Sequence, residues 1–194
     1  MEIGATKAVQ DRLKTTKIEE SKGASLAFCW DTHLTKIKGR NVLFIVNASN
    51  RYTIAMTDIE PRNWNYYTMY IRSVIHGVMQ DMGYSEDQIR QYFKMSGDTT
   101  VTKTHGRKSV GGINRMVMDA QYFGKKLEKE AKYQWELSEY LNRDICQPEG
   151  FDAYGYPSEL FKLDMERLGI AAKREPAKVI DFAQYIENNR GTND

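Results

Sequence analysis

Leu34–Met56, LTKIKGRNVLFIVNASNRYTIAM, decides the fold. Leu34–Lys38 alternates in character along its length, and Gly39-Arg40-Asn41 supplies the residues of a tight hairpin turn. Val42–Val46 (VLFIV) is a continuous apolar, mostly β-branched run, as expected of a strand covered on both faces. Asn47–Asn50 (NASN) has turn chemistry, because Asn side chains bond their own backbone two residues on. Tyr52–Met56 returns as another strand. Three antiparallel strands joined by short turns are the expected centre of the sheet.

Upstream, Ile3–Thr6 is a short strand candidate, and Lys7–Lys14 places Ala8, Val9 and Leu13 at helical spacing, with Thr6 able to cap it. Thr15–Ser25 is polar and contains Gly23, hence a loop. Leu26–Trp30 (LAFCW) is too short for a helix and is expected as a buried strand or strand end. Downstream, Asp58 and Pro61 mark a helix entrance. Trp64, Tyr67, Ile71, Val74, Ile75, Val78 and Met82 then follow a period near 3.6, which predicts one long core-facing helix, Pro61–Met82. Ser85 and Gln88 form a capping-box pattern ahead of a helix over Glu86–Met95. Thr99–Thr104 is strand-prone.

Val101–Phe123, VTKTHGRKSVGGINRMVMDAQYF, holds the sharpest chemical hint. It is expected to run from a strand end, through a polar turn containing Gly111 and Gly112, into an amphipathic helix. Lys103, Arg107, Lys108 and Arg115 lie in it with no acid among them. Backbone amides freed at such a helix start, together with these cations, make an anion site for a phosphate or a nucleic-acid backbone. The expected ligand-binding set is Lys103, Thr104, Arg107, Lys108, Ser109, Gly111, Gly112 and Asn114. There is no GxxxxGK[ST] order, so it is not a P-loop. The plain alternative is a tight strand-to-helix turn capped by Ser109 or Thr104.

Beyond Gly124, Lys125–Asn142 alternates charge signs around an apolar stripe and is expected as a solvated helix. Gln147–Tyr156 is a Pro-, Gly- and Tyr-rich loop, Pro157–Leu168 a short helix, and Ala177–Asn188 a last amphipathic helix before a frayed tail. The sum is a single α+β domain over residues 1–170, with a C-terminal helix and tail over 171–194. A small, mostly antiparallel sheet packs against the long helix and the helix from Gly112, and C-terminal helices wrap outside.

The order of several motifs resembles a known family. IGATKAVQDRLK is followed by W-x-x-x-L (Trp30 to Leu34), VLFIVNASNRYTI, a long helix, T-K-T-x-x-R with Gly and Asn downstream (Thr102 to Asn114), and Tyr154-Gly155-Tyr156-Pro157. It is similar to an uncharacterised bacterial domain-of-unknown-function family whose members occur alone or fused to plasmid open-reading-frame-3-like proteins of mobile elements. The resemblance implies a fold and a bacterial or mobile-element origin, and no activity. Asp31 follows Trp30 where the family has His. His105-Gly106-Arg107-Lys108 follows Thr104, which shifts the motif's charge towards positive.

The chain of 194 residues is long enough for one substantial core, and 41% hydrophobic with 28% charged residues is ordinary for a globular domain. Lys and Arg number 28 against 26 acids, a net charge of +2, so any polyanion binding must come from a local patch. Cys29 and Cys146 form no CxxC pair, which argues against a disulfide framework and for reduced thiols. No signal-peptide core and no membrane-length apolar run is present, and a cytoplasmic protein with no membrane partner is expected.

Catalytic candidates are His105, Arg107, His33 and Asp31: His as base or acid and Arg on a charged transition state, for metal-free phosphodiester cleavage. Three histidines (His33, His76, His105) and no HExxH or HxH leave no metal and no cofactor expected. Three functional readings follow. The first is a binding protein for nucleic acid or a phosphate-bearing partner. The second is a small metal-independent hydrolase or nuclease. The third is a protein–protein interaction module of a mobile element or toxin–antitoxin system.

Overall fold

The computed structural model describes residues 1–15 and 18–173. The expected α+β architecture is what it shows: a five-stranded mixed, mostly antiparallel sheet with seven helices among the described residues. The strands are β1 (Glu2–Ala5), β2 (Cys29–Ile37), β3 (Arg40–Asn47), β4 (Thr53–Thr57) and β5 (Thr100–Thr102), in the order β4-β3-β2-β1-β5. β2, β3 and β4 form the antiparallel meander read from Leu34–Met56, and β1 runs parallel to both β2 and β5. The two strands expected near Leu26 and Leu34 are one: a 3-10 turn at Leu26–Phe28 feeds directly into β2.

Alternation along the strands splits the core into two. Ile3, Trp30, Leu43, Ile45, Ile54 and Met56 face α1 (Lys7–Leu13), α2 (Pro61–Asn65), α3 (Tyr67–Asp81), α4 (Glu86–Ser96) and α7 (Pro157–Arg167). Ile37, Val42, Phe44, Val46 and Ala55 face α5 (Gly106–Gln121) and α6 (Trp135–Asn142). β3 is therefore apolar on both sides, as its continuous run required.

Local expectations fare unevenly. The Ser85–Gln88 capping box forms, with Gln88 N donating to Ser85 Oγ at 3.3 Å and Ser85 N to Gln88 Oε1 at 2.9 Å. The Asn47 turn forms too, its side-chain oxygen accepting from the amides of Ser49 and Asn50. The single helix expected over Pro61–Met82 is broken at Tyr66, whose φ and ψ of −113° and 40° leave the helical region. The break lets Trp64 and Tyr67 stack, 5.7 Å apart and nearly parallel. Its N-cap is Glu60, not Asp58, which instead pairs with Arg40 at a positive φ.

The solvated helix expected over Lys125–Asn142 is helical only from Trp135. β4 is an edge strand with a free row of backbone groups, and the preceding segment satisfies them. Thr57 N donates to Lys132 O at 2.8 Å and Gln134 N to Ala55 O at 2.9 Å. The helix expected at Ala177–Asn188 lies outside the described residues.

Candidate functional site

The sheet brings Glu2 beside Cys29 and Gly4 beside Asp31, because β1 pairs in parallel with β2 in that register. β5, on the other side of β1, then hands the chain through Lys103 and Thr104 to His105, the residue that caps α5. Glu2, Asp31 and His105 are thereby packed into one buried cluster on the α5 face of the sheet. All three are buried; the imidazole itself is 2% exposed.

Each polar atom in the cluster has a partner. His105 Nδ1 lies 2.7 Å from Asp31 Oδ1, and Nε2 lies 3.0 Å from Glu2 Oε2. The His105 backbone amide donates to both Asp31 oxygens, at 3.2 and 3.3 Å, and the Ser109 hydroxyl donates to Asp31 Oδ2. Glu2 Oε1 accepts from the Lys22 amide at 2.8 Å, so the 18–25 loop closes over the cluster. Gly4 makes room for it: a Cβ there would overlap Asp31 Oδ1.

Burial by itself would lower the His105 pKa, but the bonds and charges of Asp31 and Cys29 outweigh it and hold the imidazole up at about 10. Burial would likewise raise the Glu2 carboxyl, yet Ser21, the Lys22 amide and His105 hold it below the usual carboxylate range. A buried imidazolium bridging two carboxylates fits both directions. With both ring nitrogens bonded inside the fold, His105 has no free lone pair for an external substrate.

Helix α5 starts at Gly106, not at Gly111 or Gly112, which lie inside it. The reason is Gly106 itself: its φ of 93° makes the turn off β5, so the sharp reversal happens five residues earlier. At this observed helix start the His105 backbone amide is taken by the protein's own Asp31. Of the other catalytic candidates, His33 sits two residues from Asp31 on β2 but bonds Thr6 Oγ1 at 3.2 Å, and burial lowers its pKa. Arg107 is exposed. The four candidates do not converge on one point.

The expected ligand-binding set divides. Lys108, Ser109, Gly111 and Gly112 line a cleft of about 350 Å³ on the outer side of α5, together with Arg51, Arg115 and the 147–149 loop. Lys108 Nζ reaches across to Pro148 O at 3.1 Å. Arg51 Nη2 donates to Gly112 O at 2.8 Å, and a Cβ on Gly112 would stand 3.1 Å from Arg51 Nε. Gly112 is thus bare so that the guanidinium can lie against the helix, whereas around Gly111 the space within 4 Å is open. Arg115 pairs with Asp119 at 3.2 Å, and Lys103 with Glu20. Lys103, Thr104, Arg107 and Asn114 do not line the cleft. Among the described residues no acid pairs with Arg107 or Lys108.

Sequence reasoning missed Glu2, Cys29 and Gly4 as parts of these sites. Gly4 carried a signal, since a glycine inside a strand marks a close approach; nothing local marks Glu2 and Cys29, whose positions depend on the parallel β1–β2 register.

Among the described residues no helix is long and apolar enough to cross a membrane. No curated protein and no solved structure matches the chain. Residues 2–160 match a family described as a domain of unknown function, DUF6933, and since that span covers most of the 194 residues, including Glu2, Asp31, His105 and the whole of α5, the chain belongs to that family.

Proposed function

We propose that this domain binds a phosphate-bearing partner, with a nucleic-acid backbone first among them, through the cleft on the outer side of α5. The observation that carries the reading is the convergence of Arg51, Lys108 and Arg115 on one cleft whose lining holds a single acid, Glu149. Arg107, exposed and without an acidic partner among the described residues, adds a cation at the start of the same helix. Arginine forks suit phosphate oxygens, and Lys108 supplies a point charge whose Nζ is held at the cleft by Pro148 O. Gly111 leaves the helix backbone bare for close approach. The bacterial mobile-element setting that the family resemblance implies is compatible with such a partner.

The buried cluster is the support for this surface rather than its chemistry. Asp31 ties down His105 and Ser109, which fixes where the first turn of α5 points its outward cations. The hydrolase reading draws no support from this geometry, because His105 is enclosed and already bonded at both nitrogens.

A mobility-shift titration against single- and double-stranded DNA and RNA at two salt concentrations tests the reading. Salt-dependent binding of intact nucleic acid is expected. Lys108→Ala combined with Arg115→Ala should weaken it at least about tenfold and lower the salt slope by about 2. Unchanged affinity and slope in that variant would remove the cleft from consideration, and cleavage by the wild type would overturn the binding-only reading.

A further inference from the structure

Glu2, Cys29 and His105 bring three different ligand types into the closed interior, their ligand atoms all within 4.8 Å of one another. We propose that this trio is a binding site for a single borderline divalent transition-metal ion of the zinc type. It goes beyond the anion-binding reading and does not depend on it, and it departs from the sequence's expectation of no metal.

The arrangement around the trio is what separates it from a chance cluster. A metal-binding His needs its other ring nitrogen fixed by a carboxylate or carbonyl, and Asp31 holds Nδ1 at 2.7 Å, which aims Nε2 at Glu2 and Cys29. A metal-binding carboxylate needs its spare oxygen bonded; Glu2 Oε1 takes the Lys22 amide at 2.8 Å and leaves Oε2 facing Nε2. The Cys29 thiol is fully buried and donates to Ser25 O at 3.4 Å, with no disulfide partner.

Dimensions and chemistry agree. Bonds of about 2.0–2.3 Å in a tetrahedral centre put ligand atoms roughly 3.3–3.7 Å apart, so small inward or outward shifts from the present spacing suffice. Imidazole, thiolate and one carboxylate match zinc or cobalt, while magnesium and calcium call for all-oxygen shells. Three protein ligands leave the fourth position to water or an exogenous ligand. On uptake, the ion takes the place of the proton between Nε2 and Oε2 and of the thiol proton, and both leave to solvent.

The full chain, purified without chelator, is measured for bound metal, then stripped and titrated with Co²⁺ while its absorption spectrum is followed. About one equivalent is expected, with visible bands of tetrahedral intensity and a near-ultraviolet band from thiolate-to-cobalt charge transfer. Cys29→Ser should remove the charge-transfer band while circular dichroism shows the fold intact. Glu2→Gln should weaken uptake at least about tenfold, within the range seen when a zinc ligand set or its support is changed. A folded wild type that takes up no cobalt overturns the proposal. So does a charge-transfer band that survives in Cys29→Ser, since the ion would then sit elsewhere, for instance at Cys146.

Discussion

Two sets of polar residues lie along the first turns of α5, and they obey opposite rules. On the inner side, His105 and Ser109 meet Asp31 and Glu2 in a buried cluster, where every donor has an acceptor. On the outer side, Lys108 and Arg115 join Arg51 along an open cleft, and Arg107 is exposed, with no acidic partner among the described residues. In one dimension they interleave, His105, Arg107, Lys108, Ser109, and look like a single site. The helical period sorts them by face, with Ser109 at the boundary, bordering both cluster and cleft, and burial gives each face its energetics. An internal charge is strongly coupled to its partners and costly to disturb; an exposed one contributes little to stability and is free to bind.

The sharpest way to break this contrast is Asp31→Ala. It strands the His105 amide, the imidazole Nδ1 and the Ser109 hydroxyl in the interior without the acceptor they share. A loss of about 3–5 kcal/mol in denaturant unfolding is expected. A loss under about 1 kcal/mol would mean that the cluster relaxes or hydrates freely, and that the inner face anchors nothing. Gly4→Ala attacks the same cluster from the sheet side without touching a charge. Its methyl would occupy the place of Asp31 Oδ1, with Thr104 Cα only 3.0 Å away, so neither direction offers easy relief. About 1–3 kcal/mol of destabilisation is expected, the usual cost of forcing extra volume into a packed core.

The outer face should respond in the opposite sense. Gly111→Ala fills open space in a helix interior and should raise stability by about 0.5–1 kcal/mol, because alanine loses less backbone entropy on folding than glycine. If the cleft binds phosphate through close approach to the helix, the same variant should bind nucleic acid more weakly, separating stability from function at one position. Gly112→Ala is its control: the added carbon meets the Arg51 guanidinium, so the propensity gain is offset by displacing that side chain.

How much of this was legible beforehand follows from the range of the forces involved. The meander β2–β3–β4 could be read because hairpin turns and strand alternation are local, and the Ser85 capping box because it spans four residues. The basic composition of the α5 start was equally plain. That Asp31 would occupy the helix start was not, since it is 74 residues away from His105 and arrives only through the order β2-β1-β5. The Lys125–Asn142 stretch misled for a related reason. Its alternating charges suit a helix in isolation, but the open edge of β4 captures its first half through backbone bonds that no local pattern announces.

The smallest effect separates two histidines that the fold treats oppositely. His105 is held up at about 10, so its stabilisation is complete below the unfolded value of 6.5 and is lost only as pH rises through about 10. His33 has no carboxylate partner among the described residues, and burial lowers its pKa. The unfolded chain therefore takes up this proton first as the solution is acidified. Its stabilisation is complete above 6.5 and falls away as pH drops from there towards the folded value. In chelator-treated protein, acidification from pH 7 towards 5 should cost stability through His33 while leaving the His105 contribution intact. His33→Gln, which can still bond Thr6, should flatten that part of the profile. The readout is the fall in Tm between pH 7 and pH 5, which should be smaller in the variant than in the wild type. A profile equally steep in the variant would place the responsible group elsewhere. A wild type that instead gains stability on acidification would mean that His33 meets a negative charge in solution, and that the buried cluster extends one strand position further along β2.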